Sequence, residues 1–257
     1  MRVACHQPYF LPPLSFFAKW ASVDCLILLD ELQFVRKSSK FHYANRCKLG
    51  DDKWFTIPVI QVYPQRIRDI QIVEGWQPTS LLDRIKNDYR KTPYVSRVVD
   101  GISEKMKSAQ GTKLSTLNVQ LLAWAAAELD INKPIYLQSE LSLPDEIDRD
   151  LRLVKLVKAV RGDTYVAGPS GSKYMKEAVY REAGLKLQVC RYDPKVYDRG
   201  TRPWIAYMSV VDALCYQGEM AAQYIQGEIK KWPLTERIAD FSPPGTLSSE
   251  EEDNIVI

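Results

Sequence analysis

The amino-acid sequence predicts an α/β fold with a mixed or mostly parallel sheet flanked by helices. Its first 30 residues read as a strand, a helix and a second strand, which together form a Rossmann-like N-terminal βαβ unit. The second strand, Cys25–Leu29, is a continuous apolar run, typical of a strand buried on both faces of a parallel sheet. Strand-like and helix-like segments then alternate along the chain, as this fold class requires.

Proline positions and apolar spacing predict the helices. Pro12 and Pro13 precede an amphipathic segment, and proline is common where a helix begins. The strongest helical pattern is Leu114–Leu129, in which apolar side chains recur at helical spacing. The predicted helices cover residues 14–21, 78–107 with a break at Thr92-Pro93, 114–129, 145–161, 175–183, and 206–226 with a break at Gly218.

Short apolar or alternating runs predict the strands. The first is polar at its end, where His6 and Gln7 follow Cys5, and the third ends near Pro58. The predicted strands cover residues 2–7, 25–29, 53–59, 66–73, 134–137, 164–167 and 186–192.

The charge is unevenly distributed along the 257 residues. Five of the 32 acidic residues and none of the 35 basic ones lie in residues 240–257, so residues 1–239 carry a net +8. This balance favours a small anionic or phosphorylated substrate. No Gly/Ser-rich linker divides the chain, which predicts a single α/β domain over residues 1–241 and a flexible acidic tail over residues 242–257.

Composition also excludes several classes of protein. No apolar run reaches the length of about 18 residues that a membrane span needs. The N-terminus lacks the apolar core of a secretory signal, so we expect a cytoplasmic protein. The five cysteines contain no C-x-x-C pair, which predicts reduced thiols and no metal site. The sequence contains no Lys/Arg-rich run, so it does not predict nucleic acid as a ligand. Neither a cofactor nor an oligomeric state follows from the sequence.

The first candidate site is His6-Gln7-Pro8-Tyr9, between the first strand and the first helix. Ligands of open α/β sheets bind beyond the carboxyl ends of the strands. A histidine there can act as an acid or base, or can donate to a phosphate. The alternative is that the prolines only shape a turn and His6 caps a neighbouring element. Adjacent strand residues face opposite ways, which disfavours a Cys5–His6 nucleophile pair.

The second candidate is Asp30, with Gln33 three residues later. Asp30 follows the second strand, so we expect it to emerge beside His6. Its carboxylate could orient His6, act as a base, or bind a metal or a ribose. A turn or helix cap is the alternative, since aspartate is common in both positions.

The third candidate is the donor-rich loop that follows, which ends in Asn45-Arg46. An arginine there can bind a phosphate or carboxylate with two hydrogen bonds. A solvated basic loop is the alternative, above all for the lysines. The loop residues with donor side chains are Arg36, Lys37, Lys40, His42, Asn45 and Arg46.

The fourth candidate is a Gly/Ser loop between a strand and a helix. Its glycines permit close approach of a ligand to the backbone, and the helix N-terminus favours an anion. The spacing is not that of a phosphate-binding Walker A loop. The predicted contact residues are Gly168, Ser170, Gly171, Ser172 and Tyr174.

The order of these motifs resembles the WbqC-like family over about residues 2–226. The chain departs from the family pattern at Asp193-Pro194 and at Tyr216-Gln217. The resemblance rests on His6-Gln7-Pro8, the strand ending in Asp30, Gln33-Phe34, Asn45-Arg46, Trp54 to Val59, Thr92-Pro93-Tyr94, Tyr165 to Tyr174, and Met208 to Leu214 before Gly218.

Members of that family occur in gene clusters for surface polysaccharides and natural products. The resemblance implies a transferase that adds an acyl or aminoacyl group to an amine of a sugar nucleotide or natural-product intermediate, with aminoacyl-tRNA as one conceivable donor. Two alternatives stay open: an ATP-dependent ligase or nucleotidyl transferase in the same pathways, and a non-catalytic binding subunit of a biosynthetic complex.

Overall fold

The computed structural model describes residues 1–34, 44–107 and 113–232. Its strands are β1 (Arg2–His6), β2 (Cys25–Leu28), β3 (Arg46–Leu49), β4 (Lys53–Thr56), β5 (Val59–Ile60), β6 (Gln71–Ile72), β7 (Ile135–Leu137), β8 (Thr164–Ala167), β9 (Lys186–Arg191) and β10 (Glu228–Lys231). Its α-helices are α1 (Leu14–Ala21), α2 (Thr79–Asp88), α3 (Val95–Lys107), α4 (Leu114–Glu128), α5 (Arg149–Ala159), α6 (Glu177–Glu182) and α7 (Val210–Gln217). Short 3-10 helices cover Ile67–Asp69, Gln138–Glu140, Pro169–Lys173 and Gly218–Tyr224.

Six strands form the main sheet, in the order β10-β9-β8-β1-β2-β7. The five strands from β9 to β7 are parallel, and β10 pairs with β9 in the antiparallel direction. Two antiparallel hairpins, β3–β4 and β5–β6, lie outside this sheet. The predicted mixed, mostly parallel sheet and its N-terminal βαβ unit are therefore confirmed.

Helices cover both faces of the main sheet, because its central strands are apolar on both faces. Ala4 and Leu26 belong to a large core that also contains buried residues of α1, α4 and α7. Val3 and Ile27 face the opposite way, into a second core that includes residues of α5 and α6. No helix in the described ranges is both long and apolar enough to cross a membrane.

Several element boundaries differ from the predicted ones, and at α5 a side-chain cap is the reason. α5 begins at Arg149 rather than at residue 145, because the Asp148 carboxylate accepts a hydrogen bond from Leu151 N at 3.0 Å. The predicted strand 66–73 is a 3-10 turn followed by the two-residue β6, and polar β10 was not predicted. The predicted break at Gly218 is confirmed, since α7 ends at Gln217. The acidic tail lies outside the described residues.

A buried ion pair connects α7 to the hairpin β3–β4. Arg199 Nη2 lies 2.8 Å from Asp212 Oδ1, and both side chains are fully buried. Tyr197 donates its hydroxyl to Asp212 Oδ2 at 2.6 Å, and Arg199 Nη2 also donates to Gly50 O at 2.7 Å. Removing one charge of such a pair leaves the other buried and unneutralised, which is costly.

We expect Asp212→Asn to lower the free energy of unfolding by about 3–5 kcal/mol, because it leaves the Arg199 guanidinium without a counter-charge. Urea denaturation followed by circular dichroism measures this loss. Glu219→Gln is the control, since it weakens the exposed Arg97–Glu219 pair (2.7 Å) and should cost less than about 1 kcal/mol. Equal losses in the two variants would contradict the assigned role of the buried pair.

Candidate functional site

The order of strands reverses at the middle of the main sheet. Along the chain, β1, β2 and β7 are added in one direction, and β8 and β9 then extend the sheet on the other side of β1. A crevice forms at such a reversal, beyond the carboxyl ends of the strands, and ligands of doubly wound folds bind there. His6 ends β1 and Gly168 directly follows β8. Two of the predicted sites therefore flank this switch point.

His6 is held in one tautomer by its own loop. Its Nδ1 lies 3.0 Å from Gln7 O, and because a carbonyl only accepts hydrogen bonds, Nδ1 must carry the proton. Nε2 is then the nitrogen with a lone pair. The rings of Tyr9 and Phe16 contact the imidazole edge-on, with centroids at 4.5 and 4.8 Å. These contacts fix the ring, so that the basic nitrogen has a defined position.

The surroundings of His6 favour its neutral form. Burial lowers the pKa of His6 well below its ordinary value, and the nearby Lys19 ammonium lowers it further. Lys19 donates to Cys5 O at 3.1 Å, and burial lowers the pKa of Lys19 to about 8. Lys19 was missed in the sequence. The available signal was a lysine placed between the buried Ala18 and Trp20 of an amphipathic helix.

Cys5 faces away from His6, as predicted from strand alternation. It packs in the second core, beside Tyr165 and α5, whereas His6 contacts α1. Burial raises the pKa of the Cys5 thiol to about 12, so the thiol is protonated at neutral pH. A protonated, buried thiol does not serve as a nucleophile.

Asp30 is nearly inaccessible to solvent, with 2% of its surface exposed, and it caps the segment after β7. Its Oδ1 accepts from Ser139 N at 3.0 Å and its Oδ2 from the Ser139 hydroxyl at 2.6 Å. These bonds connect the carboxyl ends of β2 and β7. Asp30 therefore pairs with Ser139, whereas His6 Nδ1 pairs with Gln7 O. These contacts support the alternative interpretation of Asp30, which is that its carboxylate caps a turn.

Asn45 and Arg46 lie at the start of hairpin β3–β4. The Asn45 amide nitrogen donates to Ile57 O at 2.8 Å, which holds the hairpin to the next segment. The Arg46 guanidinium stacks on the Trp54 ring at 4.2 Å. Arg46 is half-buried, and its guanidinium gives this hairpin a positive charge.

Asn118 on α4 brings the first and third candidate sites together. Its side-chain nitrogen donates to Pro8 O at 2.8 Å and to Ala44 O at 2.7 Å, so both segments meet at one atom. Ser209, the N-cap of α7, donates to Leu11 O at 2.8 Å and fixes the other end of the His6 loop. Sequence reasoning missed both residues. A polar Asn within the apolar stripe of α4 was the available signal.

The Gly/Ser loop differs from its prediction in one respect. The helix expected to start at residue 175 begins at Glu177, and residues 169–173 form a 3-10 helix, so no α-helix N-terminus follows Gly168 directly. A Cβ at Gly168 would meet nothing within 4 Å, whereas one at Gly171 would lie 2.9 Å from Ala167 Cβ. Gly168 therefore borders open space, and Gly171 is required for packing.

The end of this loop is fixed by α5. The Arg149 guanidinium lies 4.3 Å from the centre of the Tyr174 ring and donates to Tyr174 O at 2.6 Å. The buried Asp150 accepts from Lys176 N at 3.1 Å. Ser170 and Tyr174 are exposed, and the side chain of Ser172 lies outside the described part.

The remaining predicted contact residues lie in the His6 loop and in the segment that follows β2. Gln7 and Tyr9 are half-buried in the His6 loop. Gln33, in the segment that follows β2, is exposed and forms a backbone bridge with Arg66. The loop residues Arg36, Lys37, Lys40 and His42 lie outside the described residues.

The chain belongs to the WbqC-like protein family, whose model matches residues 7–224. It is also similar to the uncharacterized protein Rv1507c of Mycobacterium tuberculosis, with 27% identity over 233 residues that cover 88% of this chain and 97% of that protein. No solved structure matches the chain significantly. The matched range spans Gln7, the switch-point loops and α7, and His6 directly precedes it.

The two histidines of the chain allow the His6 environment to be measured directly by NMR. We expect one imidazole Cε1–H signal to titrate well below pH 6.5 and to be absent in His6→Asn. Lys19→Met should raise that pKa, because a nearby positive charge is removed. A His6 pKa at or above 6.5 in the wild type would contradict this assignment.

The same shift sets the sign of a pH effect on stability. Between the folded-state pKa of His6 and its ordinary value of 6.5, the unfolded chain binds more protons. The His6 contribution to stability is therefore complete above about pH 6.5 and decreases as the pH falls toward the folded-state value.

Asn118→Ala tests the connection between the two segments. It leaves Pro8 O and Ala44 O without their donor, and we expect a loss of about 1–3 kcal/mol in unfolding free energy. Amide exchange of the backbone around residues 8–12 and 44–46 should accelerate. The matched control is Asn132→Ala, which removes only an exposed 3.2 Å contact with Asp130 and should change stability by less than about 0.5 kcal/mol. Unchanged exchange in Asn118→Ala would show that the connection does not hold the loop.

Proposed function

We propose that this protein is a biosynthetic transferase that moves an acyl or aminoacyl group onto an amine of a sugar nucleotide or natural-product intermediate. The observation that carries the proposal is His6 at the carboxyl end of β1: its Nδ1 donates to Gln7 O at 3.0 Å, which leaves Nε2 with the lone pair. A general base must be unprotonated and held in place: the lowered pKa of His6 favours the neutral ring, and the Gln7 contact orients it. The family resemblance supplies the reaction class.

In the proposed reaction, the acceptor amine attacks the carbonyl carbon of a thioester or ester donor. The new C–N bond forms while the C–S or C–O bond to the donor breaks. His6 Nε2 takes the proton that the amine nitrogen loses and returns it to the departing thiolate or alkoxide. The imidazolium exists only transiently, since Lys19 and burial favour the neutral ring.

The open backbone at Gly168 and the cation of Arg46 support an anionic substrate. Gly168 has free space beside its Cα, so a phosphate can approach its backbone closely. Arg46 contributes a guanidinium at the hairpin that Asn118 joins to the His6 loop. In this proposal Asp30 is a positioning residue, because it holds the β2 and β7 ends together through Ser139.

A second candidate is an ATP-dependent ligase or nucleotidyl transferase that uses the same crevice. The doubly wound strand order favours it, since nucleotides bind at this switch point in many such folds. A thermal-shift screen separates the two: stabilisation by ATP with Mg²⁺ alone favours the ligase, and stabilisation by sugar nucleotides favours the transferase. A non-catalytic binding subunit would turn over none of the substrate pairs tested.

Activity is tested by incubating the full chain with nucleoside-diphosphate amino sugars and three donor classes: coenzyme A thioesters, carrier-protein thioesters and aminoacyl-tRNA. Mass spectrometry detects the acylated product. His6→Asn retains an N–H that can donate to Gln7 O but lacks the basic Nε2, so we expect the rate to fall by about 10²–10⁴.

Asn132→Ala, in an exposed turn, serves as the control and should keep the wild-type rate. The wild-type rate should also fall on acidification toward the His6 pKa, because an imidazolium cannot accept a proton. If His6→Asn turns over at the wild-type rate, His6 is not the base and the proposed mechanism is wrong.

A further inference from the structure

Strands β1 and β8 separate before they reach the carboxyl edge of the main sheet. Their pairing ends at Val3 and Tyr165. By contrast, β1 stays paired with β2 as far as His6, and β8 stays paired with β9 as far as Ala167. The carboxyl ends of β1 and β8 therefore lack backbone pairing with each other, at the same place where the order of strands reverses. We call this place the strand gap.

The ammonium of Lys19 lies at the strand gap. Successive carbonyl groups of a strand point to opposite neighbours, and His6 O accepts from Leu29 N on the β2 side, so Cys5 O points toward β8. Lys19 Nζ donates to Cys5 O at 3.1 Å and takes the place of a backbone donor of β8. On the other side of β8, the Cys190 thiol of β9 is also close enough to act on the Lys19 charge. The ammonium therefore lies near the end of β8.

Gly168 borders the strand gap from the β8 side. Extending the register of β1 and β8 beyond Val3 and Tyr165 places Gly168 beside His6. The Gly168 backbone is extended, with φ −75° and ψ 168°, and a Cβ there would meet nothing within 4 Å. Neither backbone geometry nor packing therefore requires a glycine at this position. An unobstructed backbone beside a cation permits a ligand to approach closely.

The Lys19 charge has no anionic partner in the described part of the chain. Its Nζ bonds to a neutral carbonyl and forms no ion pair with residues 1–34, 44–107 or 113–232. The titratable groups near it are the Cys5 and Cys190 thiols and the His6 imidazole, which are all uncharged at neutral pH. A buried charge without a counter-charge is costly, so an anion that neutralises it is favoured. The Lys19 side chain is half-buried and is therefore not sealed from solvent.

We propose that Lys19 and the open backbone at Gly168 bind a phosphate group of the substrate at the strand gap. A lysine binds phosphate as a point charge, and the glycine leaves room next to it. The inference rests on the proposed function, in which the acceptor is a sugar nucleotide. Neighbouring strands lie about 4.8 Å apart, so Lys19 can hold the phosphate while His6 contacts the amine of the same sugar. A carboxylate is the alternative anion, and the test distinguishes the two.

The test measures binding of sulfate, inorganic phosphate and acetate to the full chain by calorimetry. We expect sulfate and phosphate to bind, and acetate to bind about ten-fold more weakly or not at all. Sulfate keeps its charge across the neutral range, so its affinity should fall as the pH rises through about 8, where Lys19 loses its proton. Burial shifts the pKa values of Cys5, Cys190 and His6 away from this range. Equal binding of acetate, or sulfate binding that ignores pH, would overturn the proposal.

Two variants separate binding from folding. Lys19→Met removes the charge at similar side-chain length, and sulfate should bind about ten-fold more weakly or worse. Gly168→Ala puts a methyl group into the open space without backbone strain, so its melting temperature should equal or exceed that of the wild type while sulfate binding weakens. Lys186→Met, which removes an exposed lysine at the opposite end of β9, is the control and should bind as the wild type does. Unchanged sulfate binding in Lys19→Met or Gly168→Ala would show that Lys19 only replaces a strand hydrogen bond.

Failure of this inference is distinguishable from failure of the proposed function. Sulfate binding that is sensitive to Lys19→Met, in a protein without acyl transfer, leaves the phosphate site intact and removes the transferase assignment. Acyl transfer by Lys19→Met with an unchanged KM for the sugar nucleotide leaves the transferase and removes the phosphate site.

Discussion

Five strands of the main sheet run parallel, and their carboxyl ends consequently meet at one edge. Everything proposed for the site depends on this alignment. His6, Asp30, Ser139 and Gly168 come from four distant parts of the chain, yet each follows or ends one of these strands. The parallel arrangement in turn depends on helices that cover both faces, because strands such as β2 are buried along their whole length.

The His6 loop gains its fixed shape from elements outside the sheet. Asn118 of α4 holds Pro8 O, and Ser209 at the start of α7 holds Leu11 O. α7 is itself anchored by the buried Arg199–Asp212 pair, which also reaches Gly50 beside the hairpin β3–β4. A continuous set of buried polar contacts thus links the ion pair, the hairpin and the loop that carries the proposed base. Buried polar groups of this kind specify one arrangement because their alternatives leave donors or acceptors unsatisfied.

Burial has opposite consequences for Cys5 and His6 of β1 and for Lys19 of the adjacent helix α1. It raises the pKa of the Cys5 thiol and lowers those of His6 and Lys19, because in each case the charged form loses its hydration. The thiol therefore stays inert while the imidazole stays available as an acceptor of protons. Strand alternation places these two side chains on opposite faces of the sheet. Cys5 therefore packs in a core, whereas His6 faces the other way and is the proposed base.

Local sequence was sufficient to predict the fold class, the βαβ unit, the position of the switch-point loops and the break at Gly218, because apolar periodicity, proline and glycine act over a few residues. The same patterns could not distinguish Asp30 as a catalytic group from Asp30 as a cap, since its partner Ser139 is more than 100 positions away. The roles of Asn118, Lys19 and Ser209 likewise depend on contacts between distant segments. Sequence by itself determined which residues end the strands. The tertiary structure decided which partners they meet, because burial and hydrogen bonding are set only when the helices pack against the sheet.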